Sequence, residues 1–298
     1  MTRVHARSGP SPLLATPALA FFVVFAAGPM VIVLALSFFD YDTLNAPTWA
    51  GLHNWSRLLN DPLTRKATWL SLQVIVLSWL VQTPISMLLG VFLAGRQRYR
   101  AVYGVFFILP LLLSTAGVGI MWKLLLDPNF GLAAATADDL HVAVLKQEWL
   151  GSGITLYVVT ACIAWQFVPF HTLLYQAAAR QIPVDLYEAT EIDGAGRFQQ
   201  FRYITLPQLR NTIVTSSTLL IVGSLTYFDL IYVLTLGGPG DETRILPLDM
   251  YLNGFSLRAA GYGSAIATLL VGVGLGLSLL IARASGFSQM RSETEGAL

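Results

Sequence analysis

Rings, amides and hydroxyls stand at helical spacing in two apolar stretches of this chain. One holds Trp165, Gln166, Phe167, Pro169, Phe170 and His171, and the other holds Ser216, Ser217, Ser224, Thr226, Tyr227 and Asp229. On a helix, Gln166 and Phe170 share a face, as do Phe167 and Phe170, and Ser224 and Tyr227. Stacking on rings, combined with directed hydrogen bonds from amides and hydroxyls, is the chemistry that holds a sugar. Asp229 is the one carboxylate well inside an apolar stretch, which makes it a functional candidate. The competing reading is packing, because polar side chains between membrane helices often only bond across, for about 0.6 kcal/mol on average. Other chemistries find no residues. His5, His53, His141 and His171 are scattered, and the single Cys162 allows neither an internal disulfide nor a thiolate zinc site. There is no G-x-x-x-x-G-K-[ST] phosphate loop and no cluster of nucleophile and base. Neither a metal nor a cofactor of this chain's own is expected.

The elements that position these residues are membrane helices. Of 298 residues 55% are apolar and 12% charged, whereas a soluble domain carries about 25% charged residues. A net charge of +1 offers no basic stripe for nucleic acid. An all-α, polytopic membrane protein is expected, with six transmembrane segments of roughly 20 residues or more. They run approximately Leu13–Phe39, Ala67–Ala94, Val102–Leu126, Ile154–Ala179, Thr212–Leu236 and Tyr262–Ala282. The first has Arg3 and Arg7 before it and Ala18-Leu19-Ala20 within it, like a secretory signal. Its apolar run is too long for one, so it reads as a retained helix. Residues 1–12 and 284–298 are then tails around a six-helix domain over 13–283.

Lys and Arg placement orients the chain. With the N-terminus in the cytoplasm, Arg3, Arg7, Arg96, Arg98, Arg100, Arg180, Arg197, Arg202, Arg210, Arg283 and Arg291 fall inside. Arg57, Arg65, Lys66, Lys123, Lys146, Arg244 and Arg258 fall outside. Both tails and the polar stretch Pro183–Leu209 therefore face the cytoplasm. Gly28-Pro29 predicts a kink in the first helix. Trp49, the run Gly51-Leu52-His53-Asn54-Trp55, and Leu58-Leu59 predict a short amphipathic helix at the outer interface. Gly117, Gly119, Gly272, Gly274 and Gly276 predict close helix packing, and Gly237-Gly238-Pro239-Gly240 a stop after the fifth helix.

Pro183–Leu209 predicts a helix over Val184–Ile192, a sharp turn at Gly194 and Gly196, and a second short helix from Arg197 to Tyr203 that Pro207 stops. On pattern alone a solvated linker fits equally. Its residues Tyr187-Glu188-Ala189-Thr190-Glu191-Ile192-Asp193-Gly194-Ala195 and Phe201-Arg202-Tyr203-Ile204-Thr205-Leu206-Pro207, however, resemble the EAA loop of bacterial ABC importer permeases. More narrowly they are similar to the carbohydrate branch of binding-protein-dependent systems, the maltose, multiple-sugar and glycerol-phosphate types. Gly51-Leu52-His53-Asn54-Trp55, Ile108-Leu109-Pro110 and Phe228–Thr235 leading into Gly237-Gly238-Pro239-Gly240 extend the likeness over nearly the whole chain. Two departures stand out: Thr190 replaces the usual second alanine, and Asn211 stands where a proline often follows.

The resemblance implies a type I importer permease in the bacterial cytoplasmic (inner) membrane. It implies a second permease subunit forming a heterodimer, a dimeric ATPase that binds ATP and Mg, and an extracytoplasmic binding protein delivering carbohydrate. The EAA loop, residues 181–211, becomes the coupling element. Glu188 meets a basic side chain of the ATPase, Ala189 and Gly194 keep the docking face narrow, Asp193 holds the turn, and Thr190 is counted with them among the coupling residues. Helices four and five become the substrate-facing pair, with Gln166, Phe167, Phe170, Ser224, Tyr227 and Asp229 along the path. Alternatives are a glycerol-phosphate importer and an ion-coupled transporter using Asp229 as relay. The first wants arginines in mid-span that helices four and five lack, and the second leaves the EAA loop unexplained. A membrane enzyme lacks its catalytic cluster.

Overall fold

Residues 15–95, 98–141, 147–151 and 153–284 are described in the computed structural model. The expected tails, Ala284 apart, lie outside the described residues, as do Arg96, Lys146 and the terminal arginines counted for orientation. The chain divides into two units, residues 1–60 with 250–269, and residues 61–249 with 270–298.

In the first unit, α1 (Thr16–Leu36) is a 21-residue apolar span. The expected kink is a wide turn instead of a break. Pro29 offers no N–H to the carbonyl of Phe25, and the backbone over Val23–Ala27 opens to π geometry, with Gly28 donating to Val23. A two-strand hairpin follows, β1 (Phe39–Asp40) against β2 (Thr48–Trp49), with Phe39 opposite Trp49. The expected amphipathic helix is α2 (His53–Asn60). Its Asn54 is buried and donates to the carbonyls of Ser37 at 3.1 Å and Phe39 at 2.8 Å, which satisfies hairpin groups that have no ladder partner.

The second unit holds α3 (Pro62–Leu93), α4 (Arg98–Leu112), α5 (Thr115–Leu125), α6 (Leu132–Leu140), α7 (Thr155–Ala179), α8 (Val184–Ile192), α9 (Arg197–Gln200), α10 (Arg210–Ser224) and α11 (Phe228–Thr235). A short α12 (Leu246–Tyr251) begins in it and the last helix, α13 (Ala260–Ala284), ends in it. Among the described residues four helices are long and apolar enough to cross a membrane, or up to six if each of two bent pairs counts as one span.

Those bent pairs correct the expectation of continuous third and fifth helices. Between α4 and α5 the axis turns by 98°, and between α10 and α11 by 47°. At the first break Ser114 is extended and caps α5 by accepting from the backbone N–H of Gly117 at 3.2 Å. At the second, the hydroxyl of Thr226 donates back to the carbonyl of Gly223 at 2.7 Å. A further correction concerns Pro207. It does not end the helix after the Gly194 turn, because a π turn over Phe201–Thr205 absorbs its missing hydrogen bond and the helical path runs on to α10.

The core of this unit is the crossing of α3 on α7. A side chain at Gly90 would place Cβ 2.6 Å from Cβ of Tyr175 and 2.9 Å from backbone atoms of Thr172 and Gln176, so only hydrogen fits there. Trp79 Nε1 donates to Ser217 Oγ at 2.8 Å, joining α3 to α10. Gly119 lets α5 close on Val233 of α11, 3.0 Å from where a Cβ would sit. Gly272 and Gly276, expected to mark close packing, face open space in the described chain, and of the three only Gly274 meets a neighbour, Leu225. Beyond α11, buried Asp249 accepts from Arg244 Nη2 at 2.7 Å and from Thr64 Oγ1 at 2.8 Å, and this strap fastens the segment after α11 to the start of α3.

Candidate functional site

The two helix breaks face one cavity. It measures about 410 Å³, and Thr115 from the first break and Thr226 and Tyr227 from the second are among its walls. Inside a bilayer, non-helical backbone is tolerated only where protein buries it or a water-filled space satisfies it. Breaks converging on a cavity meet that condition, and the volume lies in the range of ligand pockets, roughly 300–1,000 Å³.

Four of the six candidate path residues line this space: Phe167, Phe170, Tyr227 and Asp229. The rings of Phe167 and Tyr227 stack with centroids 5.3 Å apart, and Phe170 leaves 39% of its surface exposed. Asp229 is exposed in the first turn of α11, where free backbone N–H groups and the helix dipole favour a carboxylate. The break puts it there. On an unbroken helix it would stand in mid-span without that support.

Gln166 and Ser224 are not among the cavity's lining residues. Gln166 is 2% exposed, and its amide nitrogen donates to the carbonyl of Leu113 at 3.3 Å and to Thr115 Oγ1 at 3.4 Å. It bridges the break between α4 and α5 and serves a carbonyl that the bend frees. Ser224 is buried and donates one turn back to Leu220 at 2.8 Å. Ser224 and Tyr227 do not share one helix face as expected, because α10 ends at Ser224, yet across the break their side chains still come within hydrogen-bonding reach. Thr115 was missed as a wall residue, since its position depends on a break that no glycine or proline at Leu113-Ser114 announces. His171, in the aromatic cluster but not chosen for the path, also lines the cavity, with Nδ1 2.9 Å from Ser216 Oγ. Among the described residues no Lys or Arg lines it.

A second feature is the hairpin of α8 and α9. Glu188, Ala189, Asp193 and Gly194 are exposed on it, and Ile192 and Phe198 expose 87% and 76% of their surface. Gly194 takes φ +78°, a conformation other residues rarely adopt, and the turn closes with Ala195 N donating to Thr190 O at 2.9 Å. Asp193 supplies only backbone to this turn, and among the described residues its carboxylate makes no hydrogen bond. Thr190, half-buried, has a use alanine lacks. Its hydroxyl donates to the carbonyl of Tyr187 at 2.9 Å and accepts from Gln200 Nε2 at 3.4 Å. Tyr187 and Thr205 hydroxyls meet at 2.9 Å, so the hairpin is strapped at both ends. Among the described residues no group of three or more His, Cys, Asp or Glu could hold a metal ion.

Residues 82–286 match the family of binding-protein-dependent transport system inner membrane components. A probable ABC transporter permease protein of Pyrococcus horikoshii is 35% identical over 266 residues, 87% of this chain and 89% of the relative. The trehalose/maltose transport system permease protein of Thermococcus litoralis is 31% identical over 259 residues, 86% of this chain and 87% of the relative. Among solved structures, a bacterial ABC transporter involved in the import of the acidic polysaccharide alginate superposes with a TM-score of 0.79 at 21% identity, covering 94% of this chain and 95% of that one. At that identity the likeness speaks for the fold alone, which is that of an ABC importer permease. The sequence relatives speak for kinship, and this chain belongs to the binding-protein-dependent transport system inner membrane components.

Proposed function

We propose that this chain forms, with a second permease subunit, the membrane pathway for a neutral carbohydrate handed over by an extracytoplasmic binding protein. The observation that carries the substrate class is the cavity between the helix breaks. Two stacked rings, a third exposed ring, hydroxyls and one carboxylate line it, with no cation among its described walls. Rings and neutral hydrogen-bonding groups suit a sugar, and a phosphorylated substrate would lack its arginine partners. The relative named for trehalose and maltose transport supports the same class.

Motion comes from outside the chain. A dimeric ATPase holds ATP and Mg, and the hairpin around Glu188 is the plug that fits it. A short strapped helix pair moves as a rigid body, which is what transmits a domain rotation. The termini and the hairpin lie on the cytoplasmic side of the inner membrane, following the arginine bias. The test is to assemble this chain with its second permease, ATPase and binding protein, and to follow ATP hydrolysis while mono- and disaccharides are added one at a time. A saturable rise with a neutral sugar supports the reading. A rise only with phosphorylated or charged ligands refutes the substrate class, and uptake that ignores ATP but collapses with a protonophore refutes the mechanism.

A further inference from the structure

A second cavity, of about 720 Å³, lies where the ends of α3 and α7 meet the hairpin of α8 and α9, and three arginines, Arg100, Arg180 and Arg197, line it with no carboxylate among its described walls. The remaining polar walls are neutral, chiefly Gln200, Tyr187 and Thr205. Asp185, Glu188 and Glu191 belong to the same hairpin but do not line the space. Helix capping accounts for two of the cations in part: Arg100 Nη1 donates to the carbonyl of Phe92 at 2.6 Å, and Arg180 Nη2 to Leu93 at 3.5 Å, as basic side chains do at helix C-termini. Arg100 also donates through Nε to the Tyr99 hydroxyl at 3.3 Å and lies over the Phe92 ring, yet donors remain on both side chains, since a guanidinium carries five N–H groups. Capping does not account for Arg197, at the start of α9, whose side chain has no hydrogen bond or ion pair among the described residues.

We propose that this pocket binds a phosphate-bearing anion, distinct from the transported substrate, clamped between the helix ends and the hairpin. Guanidinium forks match the oxygens of phosphate two at a time. Three like charges sharing one cleft repel, and an anion among them removes that repulsion. Basic pockets between membrane helices on the cytoplasmic side suit anionic lipid headgroups, and the same chemistry suits a soluble phosphate. Because Arg197, Gln200 and Thr205 belong to the hairpin segment while Arg100 and Arg180 belong to the bundle, the occupant ties the two together and sets how firmly the hairpin is held.

The test uses the complete transporter in nanodiscs and reads its thermal midpoint, which needs no transported substrate and so does not depend on the sugar assignment. One arm compares phosphatidylcholine with phosphatidylcholine doped with phosphatidylglycerol. The other keeps phosphatidylcholine and adds millimolar inorganic phosphate against chloride at equal ionic strength. Wild type should gain about 3 °C in one arm. The lipid arm identifies a headgroup as the source, and the phosphate arm a soluble anion. Arg197→Gln, which removes no cap, should lose that gain and Arg197→Lys should keep part of it. Equal gains in wild type and Arg197→Gln, or no gain in either arm, overturn the proposal.

Discussion

Glu188 stands exposed on α8, one turn before the helix ends at Ile192, and on the proposed reading its charge serves a partner and not its own fold. Glu188→Lys is therefore expected to leave the chain inserted at normal levels while abolishing uptake and substrate-stimulated ATP hydrolysis. Truncating one side of a buried interfacial charge pair costs about 2–5 kcal/mol, and reversing the sign costs at least that. Normal transport in this variant would remove the docking role. Tyr227 gives the corresponding test of the pathway. Losing a ring contact with the sugar should cost about 1.4 kcal/mol, so Tyr227→Ala should raise the sugar concentration for half-maximal stimulation about ten-fold. An unchanged value would mean that the partner permease makes the sugar contacts. Thr190, a departure from the usual alanine, carries two hairpin hydrogen bonds, which shows that a mismatch with a motif can have a structural reason of its own.

Among the elements, the α3–α7 crossing and the strap beyond α11 control stability. At Gly90 the clashing neighbours are Tyr175 Cβ and the backbone of α7, none of which can swing aside. Gly90→Val should destabilise by about 1–3 kcal/mol or more, as overpacked cores do, and a falling thermal midpoint with lower yield of folded chain would register it. In the strap, Arg244→Ala leaves Asp249 buried without its cation. Breaking such a pair from one side costs about 3–5 kcal/mol, whereas replacing both partners with apolar groups is milder. Arg244→Met with Asp249→Leu should therefore be more stable in chemical unfolding than Arg244→Ala alone. The reverse order would show that the pair contributes net stability.

For the molecule as a whole, sidedness is the property on which the functional reading depends. Phe130 and Ile192 expose 91% and 87% of their surface, and Cys162 is buried at 2% exposure, so the wild-type background is silent to a thiol reagent. An impermeant maleimide applied to intact cells should label Phe130→Cys and spare Ile192→Cys, and inverted membranes should show the opposite. Labelling of Ile192→Cys from outside would put the hairpin on the wrong side for an ATPase and end the coupling account.

The membrane class, the approximate spans, α8 to the residue and the family itself were legible in the amino-acid order. Apolar length, arginine bias, Gly194 and the residues around Glu188 are local signals that need no neighbour to be read. The breaks at Leu113-Ser114 and Leu225–Tyr227 were not, because apolar runs continue through both. What accompanies them is contact between helices: α5 packs on α11, and Gln166 on a third helix bonds the first break. The same blindness put Gln166 and Ser224 on the path while missing Thr115, since spacing along one helix fixes which residues share a face but not whether that helix continues. Which polar groups face a shared space and which satisfy each other is decided between helices, because a side chain's exposure depends on the chain that folds against it.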